Sequence, residues 1–229
     1  MSTTSVDAQS HGHEHAHDPH HQHHFATMEQ QFDTSKIGMW LFIATEILLF
    51  GGLFVGFGLM QNRYPREFVE AHEHLKRWQG ALNTVVLLFS SWTMVMAVHS
   101  AQTNQQKKLR VFLVLTILCA FIFLGVKYFE YSHKYEERLL PGNFYGHQHE
   151  DLIQNTHGYA TFFAFYFMMT GLHGLHIVGG IVALSWLVLR ARKGEFSPAY
   201  YTPVDLVGLY WHIVDMIWIY LFPLYYLIT

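Results

Sequence analysis

The residues of this chain able to do chemistry are polar groups set inside long apolar runs. Glu46 stands in the middle of Ile37–Met60, a stretch otherwise without charge. A carboxyl near the midplane of a bilayer costs about 2.5–3.5 kcal/mol on insertion scales. It must therefore be protonated, face protein or water, or serve a purpose. Either a proton-handling role or a protonated bond across a helix interface fits Glu46. His173 and His176 lie three apart in Thr170-Gly-Leu-His-Gly-Leu-His176 and share one helical face. Such a pair can ligate a haem or metal if an opposing ligand exists, with His99 and His212 the available partners. It can equally bond between helices brought close by Gly171 and Gly174. His212 and Asp215 are again three apart, as an oriented imidazole that relays protons or as a neutral pair locking one helix to its neighbours. Lys127 and Glu130 have the same spacing. There the structural reading is favoured: they pair, and Lys127 runs its aliphatic stem towards the interface.

The elements that must hold these groups are membrane spans. The chain has 229 residues, 51% hydrophobic, 17% aromatic and only 14% charged. Five segments are long and apolar enough to cross a bilayer: about 37–60, 81–101, 109–131, 159–189 and 205–228. The fourth exceeds the hydrocarbon thickness and must tilt or project. Gly52 and Gly56 form a small-xxx-small pair that predicts tight helix packing around Glu46. The segment Tyr64–Trp78 alternates acids and bases and is expected to form a short interfacial helix. Pro141–Gly146 reads as a turn in a surface loop. The expected fold is therefore all-α: a five-helix integral membrane bundle over residues 36–229, preceded by a disordered histidine-rich tail over 1–35.

That tail carries eight histidines before Phe25. Such tracts bind divalent metals, but the spacing fixes no coordination geometry, and a disordered tail is the expectation. It lacks the apolar core of a signal peptide. The net charge of −3 gives no case for nucleic acid, and a single cysteine, Cys119, excludes an internal disulfide. Lys107, Lys108 and Arg110 fill one short connection, and Arg190, Arg192 and Lys193 another. Both fall on the side of the N-terminus, which the positive-inside tendency assigns to the cytoplasm, with the C-terminus opposite.

Four segments in order resemble subunit III of the haem–copper terminal oxidases. They are Lys36–Phe50 with its intramembrane Glu46, Leu82–Ser91 followed by His99, Thr170–His176 after Phe162-Phe163, and Tyr210-Trp-His-Ile-Val-Asp-Met-Ile-Trp218. The match spans Lys36 to Thr229. The resemblance implies an accessory subunit of an aerobic respiratory oxidase in a bacterial inner membrane, assembled with catalytic subunit I, subunit II and membrane lipids, and within a respiratory supercomplex. It implies no haem, copper or other metal in this chain, those residing in partner subunits, and a bound phospholipid in a cleft between helices. His99, Lys127, Glu130, His173, His176, His212 and Asp215 then become an interhelical polar network. Glu46 becomes a carboxyl with a proton or lipid role. Family roles are stabilising the catalytic subunit during turnover and supporting proton uptake into it. Two departures stand out. Longer members have seven spans, so a two-helix arm is missing, and Lys127 stands where relatives often have Gln. The expected complex is a cytochrome c oxidase; a quinol oxidase is the alternative. A free-standing His-ligated membrane cytochrome or carrier is the reading from a different class.

Overall fold

The computed structural model describes residues 25–73, 75–136 and 156–227. The eight histidines of the tail and the Pro141–Gly146 turn lie outside the described residues. Six helices occupy the rest: α1 (Met28–Arg63), α2 (Pro65–Glu73), α3 (Arg77–Gln102), α4 (Gln106–Glu136), α5 (Thr156–Arg192) and α6 (Thr202–Tyr226). Five of them, all but α2, have the length and hydropathy of membrane spans.

The helix ends explain where sequence and structure differ. Apolarity places the first span from Ile37, but α1 starts at Met28. Thr27 and Gln30 supply the reason: Thr27 Oγ1 accepts from the Gln30 amide at 3.1 Å, and the Ala26 amide donates to Gln30 Oε1 at 2.9 Å. This capping-box-like pair, its return bond falling on the residue before the cap, lets polar residues 28–35, placed by hydropathy in the tail, open the helix. At the other end, Pro65 cannot continue α1's hydrogen-bond ladder and instead begins α2. The interfacial helix expected over Tyr64–Trp78 is thus α2 alone, while Arg77 and Trp78 belong to α3. α2 buries Phe68 and Ala71 against the start of α5, where Phe68 meets Phe162 edge-on at 5.3 Å and Tyr159 donates to Glu70 at 2.8 Å.

A tight turn with Asn104 in the left-handed region (φ 57°) joins α3 to α4 as an antiparallel hairpin. α6 packs between α3 and α5, α4 closes against α3 and α5, and α1 lies outside against α5 and α6. α5's 37 residues make about 55 Å of helix against roughly 30 Å of hydrocarbon, so it projects beyond the lipid. Phe57, Phe162, Tyr166 and Tyr225 form the aromatic core between α1, α5 and α6. The outer faces are apolar, as for Leu48 (76% exposed) and Leu118 (54%), which is where lipid tails belong.

Close packing falls at glycines other than those the motifs single out. A Cβ on Gly52, or on Gly174, would meet nothing within 4 Å, and on Gly171 only the Tyr131 hydroxyl at 4.0 Å. Gly56 touches only the Phe165 ring, at 3.4 Å. The closest approach is at Gly180, whose missing Cβ is replaced by the Trp211 ring of α6. There the absent side chain is what lets α5 and α6 pack.

Candidate functional site

Glu46 lacks a counter-charge on its own helix, and α5 supplies one. Glu46 Oε2 lies 2.9 Å from His176 Nε2, with both side chains nearly sealed, at 13% and 16% exposure. The other ring nitrogen, Nδ1, lies 2.8 Å from the Leu172 carbonyl. A carbonyl only accepts, so Nδ1 carries a hydrogen. Nε2 faces Oε2 as a close polar contact rather than a hydrogen bond of good geometry. An imidazole from the neighbouring helix gives the carboxyl a polar neighbour at a depth where lipid would offer none. Phe50 covers the ring edge-on at 5.6 Å, and the Tyr210 hydroxyl donates to the His176 carbonyl at 2.8 Å, tying α6 to the same turn. Thr45, adjacent in sequence, donates to Phe42 O in its own helix and takes no part.

Lys127 and Glu130 form a second centre with partners from two other helices. Their ion pair measures 3.0 Å, with side chains 8% and 2% exposed. Tyr166 of α5 and Tyr226 of α6 donate to Glu130 Oε1 at 2.7 and 2.5 Å. Lys127 Nζ also lies 2.9 Å from the Tyr226 hydroxyl and 4.8 Å from the Trp218 ring centroid. The stem of Lys127 does not run to the interface; the ammonium is held inside. Its charge has a carboxylate, a hydroxyl and an aromatic face around it, the conditions under which burial of an ion pair is tolerated. Next to it, the hydroxyls of Tyr131 and Thr170 meet at 2.5 Å.

His212 and Asp215 do not bond to each other. His212 Nδ1 meets Ser91 Oγ of α3 at 2.8 Å. The indoles of Trp211 and Trp218 donate to Ser90 and Thr84, each at 3.1 Å, so three residues of α6 fasten α3. Asp215 is buried, with Ser91, the residue that meets His212, as its polar neighbour. His173 shares a face with His176 but not its role. It is fully buried, its two nitrogens have no partner among the described residues, and Phe123 and Trp218 flank its ring at 5.4 and 5.3 Å. His99 is exposed near the end of α3, on the rim of a groove with His212 and Asp205, and joins neither centre. The seven residues expected to form one network are therefore distributed over separate places. The tyrosines are what the sequence reading missed; only their position on buried faces marks them.

Five membrane-length helices with polar seams between them define a multi-pass helical membrane protein. Among the described residues, no three or more His, Cys, Asp or Glu side chains are grouped to hold a metal ion. The sequence profile of cytochrome c oxidase subunit III matches residues 139–229. The chain is 30% identical over 194 residues to a probable cytochrome c oxidase subunit 3 of Mycobacterium leprae, covering 84% of this chain and 87% of that one. It is 29% identical over 210 residues to quinol oxidase subunit 3 of Bacillus spizizenii, covering 88% and 92%. A probable quinol oxidase subunit 3 of Staphylococcus aureus matches at 26% over 196 residues, 86% and 90% of the two chains. The chain belongs to the subunit III family of the haem–copper respiratory oxidases.

Proposed function

We propose that this chain is a non-catalytic subunit that braces the oxygen-reducing subunit of its oxidase, and that the Glu46–His176 pair fastens the helix nearest the missing arm. The observation that carries this is the pair itself. α1 packs only on the α5–α6 side of the bundle and lacks a polar bond to α3 or α4 among the described residues. The Glu46–His176 contact is its one deep polar link to α5 among the described residues. Subunits I and II are the partners, and membrane phospholipid covers the exposed face of α1. Relatives named for cytochrome c and for quinol match equally well, so the choice of donor resides in the donor-binding subunit, where a dicopper site marks the cytochrome c type. The basic connections, drawn to one end by the Lys36–Asp205 pair at 3.2 Å and the Gln106–Phe196 bond, support a cytoplasmic N-terminus in a bacterial inner membrane.

The test separates fastening from proton exchange. In Glu46→Gln the amide donates to a neutral His176, so the seam survives although no proton can be passed. In Glu46→Leu the seam loses a bond of about 1.5–3 kcal/mol, a roughly 10- to 150-fold shift towards an open α1. Fastening predicts wild-type turnover lifetime for Glu46→Gln and accelerated inactivation for Glu46→Leu, with haem content unchanged in both. Equal slowing of proton uptake in the two variants would show instead that the carboxyl exchanges protons.

A further inference from the structure

The face of the bundle opposite α1 carries a groove of about 580 Å³ between α4 and α5. Its floor is apolar: Val111, Val114 and Leu118 follow one stripe of α4, and Val188 closes it from α5. The stripe from Arg110 to Leu118 runs about 12 Å along the helix, a depth suited to acyl chain. The mouth of the groove is different in kind. Lys107, Arg110 and Arg192, from the two basic connections, converge on it.

Among the described residues no carboxylate lines this groove, and the acids of the α5–α6 connection and the first turn of α6 are already engaged. Glu195 holds Arg190 at 2.5 Å and Asp205 holds Lys36 at 3.2 Å. Arg110 donates only to the Gln106 carbonyl of its own helix, and Lys107 and Arg192 make no ion pair among the described residues. The first turn of α4 lies at the same end, and its amides ahead of Leu109 have no helical carbonyl to donate to, which adds positive potential. Basic residues at a cytoplasmic boundary commonly serve only to set topology. Here they crown an apolar trough, which topology does not require.

We infer that the α4–α5 groove is a binding site for an anionic phospholipid, its phosphate between Lys107, Arg110 and Arg192 and an acyl chain along Val111–Leu118. The inference rests on the membrane reading above and concerns a face remote from the Glu46 seam. A zwitterionic lipid offers the same tail but a headgroup whose own cation is repelled by these three. Inorganic phosphate offers the same anion but nothing for the trough.

The test uses the intact oxidase complex in nanodiscs containing a photoactivatable phosphatidylglycerol, with photoactivatable phosphatidylcholine as the second arm and inorganic phosphate as competitor. Labelling is mapped by peptide mass spectrometry. Phosphatidylglycerol is expected to label α4 between residues 107 and 118. Each cation near an anionic headgroup changes occupancy about fivefold, so K107Q/R110Q/R192Q should lose at least tenfold of the label. Val114→Trp, which fills the trough and leaves the charges, should lose it as well. Millimolar phosphate should not compete. Equal labelling by phosphatidylcholine, undiminished labelling in the triple variant, competition by phosphate, or no labelling because another subunit covers the face would each overturn the inference. Haem content and co-purification of the catalytic subunit, read in the same samples, report separately on the accessory-subunit reading.

Discussion

The Lys127–Glu130 centre yields a prediction in which the order of effects matters more than their size. Glu130 accepts from Lys127 and from two tyrosines, so Lys127→Met leaves its carboxyl with two of three donors, at 2.7 and 2.5 Å. The loss is one charged hydrogen bond, about 1.5–3 kcal/mol. Glu130→Met is worse. It leaves an ammonium whose side chain is 8% exposed with only hydroxyls and the Trp218 face around it, and breaking a buried pair from one side costs about 3–5 kcal/mol. In the double variant no charge remains to be solvated, and the tyrosine hydroxyls can bond one another. Its cost should fall to about 2 kcal/mol, several kcal/mol short of the sum of the single variants. The assay is reversible unfolding of the purified subunit in mixed micelles, by denaturing-detergent titration, for wild type and the three variants. Additivity of the two substitutions within about 0.5 kcal/mol would refute the claim that the four side chains act as one unit.

Two further predictions concern packing. Gly180→Ala forces a methyl into the Trp211 ring and should destabilise the α5–α6 seam by about 1–3 kcal/mol in the same titration. Alanine at Gly52 or Gly174, where nothing lies within 4 Å, should be neutral within the isolated chain. His99→Ala removes an exposed side chain outside both polar centres and should change stability by less than about 0.5 kcal/mol, measured by thermal denaturation; a larger loss would place His99 in a contact the fold does not show.

The span count was legible because hydrophobic length is a local property, and only the ends moved. Met28 opens α1 on the strength of a capping box that hydropathy averages away. The Lys127–Glu130 pair was legible for the same reason, since three residues on a helix fix the neighbours. Its tyrosines were not, because Tyr166 and Tyr226 come from α5 and α6. Glu46 and His176 were each conspicuous, but joining them requires knowing that α1 lies against α5 rather than α3. Spacing also misled. His173 and His176 share a face by period, yet a 3.6-residue turn rotates the first into the aromatic core and leaves the second at the α1 seam. His212 and Asp215 have the same spacing, yet they do not bond to each other; Ser91 of α3 lies beside both.

The most direct measurement of the central claim is isolation of the complex through an affinity tag on this chain, followed by separation of the subunits and an absorption spectrum of each. A catalytic haem–copper subunit in equal stoichiometry, carrying all of the Soret absorption while this chain carries none, is the result the account predicts. A Soret band that stays with the isolated chain, or a chain recovered from native membranes without an oxidase partner, would contradict it.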